Sequence, residues 1–85
     1  MRLPIIKLLT EFIEEKDSDY VQETIETLEA LTELPSLKDE ELDVIGELIS
    51  NMYGALDVAS SIQQGTPKKD AMNQFMQRVM GSIDR

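Results

Sequence analysis

The sequence predicts an all-α fold, a small four-helix bundle with short loops and one long central helix, the third. Three observations lead there. Apolar residues recur at steps of three and four in four separate segments. Proline, glycine and short polar runs fall between those segments. No stretch of any weight alternates apolar and polar residues with the two-residue period of a strand.

The first helix is expected from Pro4 to Glu15, with Pro4 in the first turn, where its missing N–H costs nothing. Ile5, Leu8, Leu9, Phe12 and Ile13 supply its apolar stripe. After the polar break Lys16-Asp17-Ser18, Asp19 is placed to cap a second helix from Tyr20 to Thr32, with Gln22 reaching back toward it. Val21, Ile25, Leu28 and Leu31 face inward, and Glu23, Glu26, Glu29 and Glu33 face water. So short a break makes the first two helices an antiparallel hairpin.

Pro35 stops the second helix by restricting Leu34, and Ser36 or Asp39 can cap the third. From Glu40 to Gln64, Leu42, Ile45, Ile49, Met52, Leu56 and Ala59 repeat at helical spacing, and Leu48, Ala55 and Ile62 widen the stripe. At 1.5 Å per residue this helix is about 37 Å long, the longest of the four. Gly65 suits the left-handed position beyond its end. Thr66-Pro67 then opens a fourth helix with apolar positions Ala71, Met72, Phe75, Met76, Val79, Met80 and Ile83.

At 85 residues the chain is sized for a single core, and residues 1–85 read as one helical domain. A core this small needs idealised helix packing or surface borrowed from a second copy. Cysteine and histidine are absent. That removes thiol chemistry, disulfides, the commonest general base and the commonest zinc or iron ligand. A net charge of −9 repels polyanions and argues against nucleic-acid binding. Lys7, Thr10 and Glu11 interrupt the first apolar stretch too early for a secretory core or a membrane span, so a cytoplasmic location is expected.

Three features are candidates for function. Residues 1–65 carry fifteen acidic and four basic side chains, a net of −11, whereas residues 66–85 carry four basic and two acidic, a net of +2. Such a surface either solvates the fold or selects a partner with a basic surface. Gly46, Ser50 and Gly54 lie four apart on the long helix. Small residues at that spacing admit a close helix crossing, within the fold or across a dimer axis. Met72, Met76 and Met80, with Phe75 and Val79 beside them, form a stripe that serves as core or, where exposed, as a face for another helix. The candidate interface is therefore Gly46, Ser50, Gly54, Met72, Phe75, Met76, Val79 and Met80.

The carboxylates support no metal centre. Asp17 and Asp19 begin like a calcium loop, but Tyr20 to Thr24 lack the further ligands and the glycine it requires. Asp39, Glu40, Glu41 and Asp43 are what the positive end of a helix dipole favours. No catalytic, cofactor-binding or metal-ligating residue is assigned, and no cofactor is implied.

Three stretches, LPIIKLLTEFIEE, DYVQETIETLEALTELPSLKDEELDVIGELISNMYGAL and KKDAMNQFMQRVMGSIDR, span nearly the whole chain. Together they resemble a family of short Bacteroidetes proteins known only as a domain of unknown function. The resemblance implies a bacterial cytoplasmic protein and assigns no functional residue. Acyl carrier proteins are also short, acidic and four-helical, and Ser36-Leu37 superficially resembles their phosphopantetheine-bearing serine. However, Pro35 stands where that motif has aspartate, and Lys38 follows.

The expectation is a non-enzymatic protein–protein interaction module, a homodimer through the third or fourth helix. The alternative is a small-ligand-binding or carrier-type helical domain that uses Tyr20, Tyr53, Lys68 or a buried glutamate.

Overall fold

A computed structural model of the protein describes residues 2–83, and the side chains of residues 2–79. Four helices follow in order: α1 (Leu3–Glu15), α2 (Ser18–Leu31), α3 (Asp39–Gln63) and α4 (Lys68–Ile83). No strand occurs among the described residues. The all-α class and the long third helix are as the sequence predicts. α3 packs against each of the other three helices, and contact between α1 and α2 is slighter.

α1 begins at a fixed point on α3. The Arg2 N–H donates to Asn51 Oδ1 at 2.9 Å, and Asn51 Nδ2 donates to the Glu47 carbonyl at 2.7 Å. Asn51 is wholly buried. It is tolerated there because both ends of its amide are bonded.

The buried face of α1 differs from the predicted stripe. Ile6, Thr10 and Ile13 are buried and Leu9 is half-buried, whereas Phe12 is exposed and Leu8 remains 67% exposed. Ile5, Ile6, Leu8, Leu9, Phe12 and Ile13 cover more of the helix circumference than one contact face can bury, so part of the arc had to stay outside. Thr10 can sit in the core because its hydroxyl donates to the Ile6 carbonyl at 2.7 Å.

α2 starts at Ser18, two residues earlier than expected, and Asp17 rather than Asp19 caps it. The Asp17 carboxylate accepts from the Asp19 N–H at 2.7 Å. Val21 and Ile25 are buried and Leu28 is half-buried, but Leu31 is exposed. The Phe12 and Tyr20 rings meet edge to face at 5.8 Å across the hairpin.

α2 ends at Leu31, before Pro35 can act, and irregular turns carry the chain to α3. Neither Ser36 nor Asp39 caps that helix. Lys38 occupies the cap position, and its N–H donates to Glu41 Oε1 at 2.9 Å. A lysine side chain has no acceptor, so glutamate supplies the only side-chain bond. At the other end Gly65 adopts φ 110°, with Gly65 N–H bonded to Ile62 O and Thr66 N–H to Ser61 O. That is the 5→2 and 6→1 pairing of a Schellman motif, which glycine makes without strain.

The most buried face of α3 is Asn51, Gly54, Ala55 and Val58, not the predicted line through Leu42 to Ala59, which is half-buried. α3 has three neighbouring helices, and at Gly54 side chains from two of them close directly on its backbone. A Cβ built on Gly54 would lie 2.8 Å from Phe75 Cζ, 3.2 Å from Phe75 Cε2 and 3.4 Å from Ile6 Cδ1. Helices α1, α3 and α4 therefore meet at Gly54. The core around this point is Ile6, Ile13, Val21, Ile25, Ala55, Val58, Ala71 and Phe75.

The fold is flat. Its extents are 43 × 35 × 17 Å, so its thin dimension holds only two helix layers at an interaxial spacing of about 8–10 Å. In the first turns of α3 Leu42, Ile45 and Ile49 are half-buried, Ile49 against the core, while Val44 and Leu48 are left uncovered.

Alanine at the two helical glycines of α3 therefore has opposite effects. Gly54→Ala should destabilise the fold by about 1–2 kcal/mol, overpacking against the Phe75 ring outweighing the gain in helix propensity. Gly46→Ala meets no atom within 4 Å and should stabilise by about 0.5–1 kcal/mol. Urea denaturation of both variants checks the signs.

Candidate interaction surface

The predicted interface residues divide between core and surface. Gly54 and Phe75 lie inside the fold, facing each other, so the close helix crossing expected of the small-residue stripe is internal and belongs to α3 and α4. Gly46 and Ser50 are exposed. Met72, Met76 and Val79 are half-buried and pack against the core from its edge. The Met80 side chain lies outside the described residues, as does that of Ile83.

Outer contacts hold α4 in place. Arg78 lies over the Phe75 ring at 5.8 Å from its centroid and reaches Asp57 Oδ2 at 2.9 Å. Lys68 Nζ lies 3.1 Å from Glu14 and 3.6 Å from Glu11 on α1. The basic C-terminal segment thus bonds to acidic neighbours of its own fold. The hydrogen bond to Glu14 raises the Lys68 pKa against a small opposing effect of burial, and the Glu14 and Glu11 charges add to the rise. The linked stability is present below the ordinary lysine range and is lost as pH climbs through the raised value. Water screens this exposed pair.

Tyr53 donates its hydroxyl to Glu29 at 3.1 Å, linking α3 to the last turns of α2. That bond holds the proton on the phenol, so its pKa is raised.

An open hollow of about 700 Å³ lies beneath the α1–α2 turn, lined by Ile13, Glu14, Lys16, Gln22, Leu56 and Gln63, among others. Its two carboxylates are already engaged, Glu14 with Lys68 and Asp17 in capping α2. Among the described residues every aspartate and glutamate is exposed except half-buried Asp57, which is paired with Arg78. No group of three or more acidic side chains among them is placed to hold a metal ion. Ser36 lies in the turn before α3, not at a helix start.

Sequence reasoning missed a different set of residues. Leu3, Leu8, Phe12, Tyr20, Leu31, Leu34, Val44, Leu48 and Tyr53 are large, apolar or aromatic, and exposed. The signal for those on α1 was its over-wide apolar arc. Val44 shares its side of α3 with Leu48, Ala55 and Ile62, a spacing that could have found it.

These features define a small, acidic, all-α domain organised around a long third helix, with several large apolar side chains on its outside. The chain belongs to a family of unknown function, DUF6952, whose match covers residues 1–84. That match bears out a family of unknown function and attaches neither an activity nor a lineage to it. No curated protein and no solved structure matches the chain. No helix among the described residues is long and apolar enough to cross a membrane.

In a Tyr20→Phe background Tyr53 is the only tyrosine. Its phenolate absorbance should then appear above the ordinary tyrosine midpoint, and Glu29→Gln should move that midpoint down. Spectrophotometric titration of the two proteins makes the comparison.

Proposed function

We propose that the protein is a non-enzymatic protein–protein interaction module of the bacterial cytoplasm, in the Bacteroidetes lineage its sequence resembles, and that it works as a homodimer joined through the first half of α3. One observation carries the reading. The segment Asp39–Ser50 holds Leu42, Val44, Ile45, Leu48 and Ile49, yet none of its residues is fully buried. Val44 is 60% and Leu48 38% exposed, one turn apart on the same side. A helix side that leaves Val44 and Leu48 uncovered gains stability only when a second surface covers it.

The occupant that fits is the same segment of another copy, crossing antiparallel. Asp39, Glu40, Glu41 and Asp43 of one copy then lie beside the uncharged Ser50–Tyr53 stretch of the other. Gly54 and Phe75 are spent inside the fold, so the dimer face is narrower than the predicted interface and shifted toward the start of α3. A ligand-binding or carrier role has less support. The polar groups it would use, Tyr53 and Lys68, are bound to neighbouring carboxylates, and no buried carboxylate occurs among the described residues.

Light scattering coupled to size exclusion should give twice the monomer mass at micromolar concentration. Added salt should tighten the dimer, because it screens the repulsion of two chains of charge −9. Val44→Gln with Leu48→Gln should give a monomer of unchanged helicity. A wild-type monomer, or a variant that still dimerises, contradicts the proposal.

A further inference from the structure

The outer face of the α1–α2 hairpin is a second apolar surface, separate from the proposed dimer face. Leu8 and Phe12 lie one turn apart on α1, and Phe12 meets Tyr20 of α2 edge to face at 5.8 Å. The three side chains are 67%, 39% and 56% exposed. Along α2 the face continues into a shallow groove of about 270 Å³ lined by Tyr20, Glu23, Thr24, Thr27 and Leu28. The helices meet at these aromatic rings beside their turn, and with the groove alongside they offer an apolar seat for a helix.

Charge around the seat decides its occupant. Glu15 shares the α1 face at i, i+4 and i+7 with Leu8 and Phe12, while Asp19 and Glu23 border it on α2. All three are exposed, and no ion pair is formed by any of them among the described residues. Lys7 falls more than a quarter turn away from Leu8 and Phe12, and Lys16 lines the hollow at the hairpin's end. A second copy of the same face would set these carboxylates against one another, a like-charge contact that opposes pairing. A helix with an apolar stripe flanked by lysine or arginine meets both features of the seat at once.

We propose that the α1–α2 face binds a cationic amphipathic helix, with Leu8, Phe12 and Tyr20 receiving its apolar side chains and Glu15, Asp19 and Glu23 receiving its cations. The α3 segment stays free, so the proposed dimer and this partner can be bound together.

The probe is a synthetic leucine–lysine peptide with helical periodicity, measured by fluorescence anisotropy against the full chain. A leucine–glutamate peptide of the same pattern and a scrambled leucine–lysine peptide serve as controls. Saturable binding to the patterned cationic peptide alone is expected. Leu8→Ser with Tyr20→Ser leaves net charge unchanged at exposed positions and should weaken binding at least tenfold with helicity retained. Glu40→Gln with Glu41→Gln removes as much charge elsewhere as Glu15→Gln with Glu23→Gln, and only the second pair should weaken binding by more than threefold. Equal binding of the patterned and scrambled peptides, or undiminished binding by the serine variant, would overturn the proposal as general attraction to an acidic protein. The dimer variant Val44→Gln, Leu48→Gln should bind the peptide normally, so failure of the dimer and failure of this site are read separately.

Discussion

The absence of a side chain at Gly54 is the constraint on which the packing turns. Phe75 of α4 and Ile6 of α1 both approach this position, and the ring of Phe75 occupies the volume where a Cβ would stand. Ala55 and Val58 continue the small-residue face, and Ala71 meets the core from α4. Three helices converge because one residue supplies no bulk. The conformational cost of a glycine within a helix is offset by the burial of an aromatic ring over it.

The flat shape follows from this convergence. A long helix with partners at its middle and C-terminal half cannot also be covered at its beginning, since the loop from α2 leaves only irregular turns there. Asn51 marks the boundary. It receives the first N–H of the described chain, fixes the level at which α1 begins, and leaves the preceding turns of α3 without a helix on that side. The exposed aliphatic side chains of α3 and those of the hairpin thus have one origin, a core too small to cover every apolar residue its helices carry.

Much of this was legible in the sequence. Helical periodicity, Gly65 and Pro67 locate the helices to within a residue or two, because turns and caps are set by local chemistry. Which face is buried was less legible. On α1 a period of 3.6 residues is satisfied equally by Leu8 and Phe12 or by Ile6 and Ile13, and a neighbour's position decides between them. On α3 the deepest line runs through Asn51, a polar residue that pattern reading passes over because its amide bonds cannot be foreseen. The small-residue stripe includes Gly54, where the Phe75 ring closes on α3, but Gly46 and Ser50 share its spacing without sharing its burial. The Asp17 cap was missed because Asp17 and Asp19 are chemically equivalent choices two residues apart.

The convergence at Gly54 is tested most directly by a double-mutant cycle between Gly54→Ala and Phe75→Leu, followed by urea denaturation. If the Phe75 ring is what excludes a side chain from position 54, alanine should cost much less stability in the leucine background, with a coupling of about 1 kcal/mol or more. Additivity of the two changes to within about 0.5 kcal/mol would mean that the two residues do not meet in this way, and that the packing of α4 has another basis.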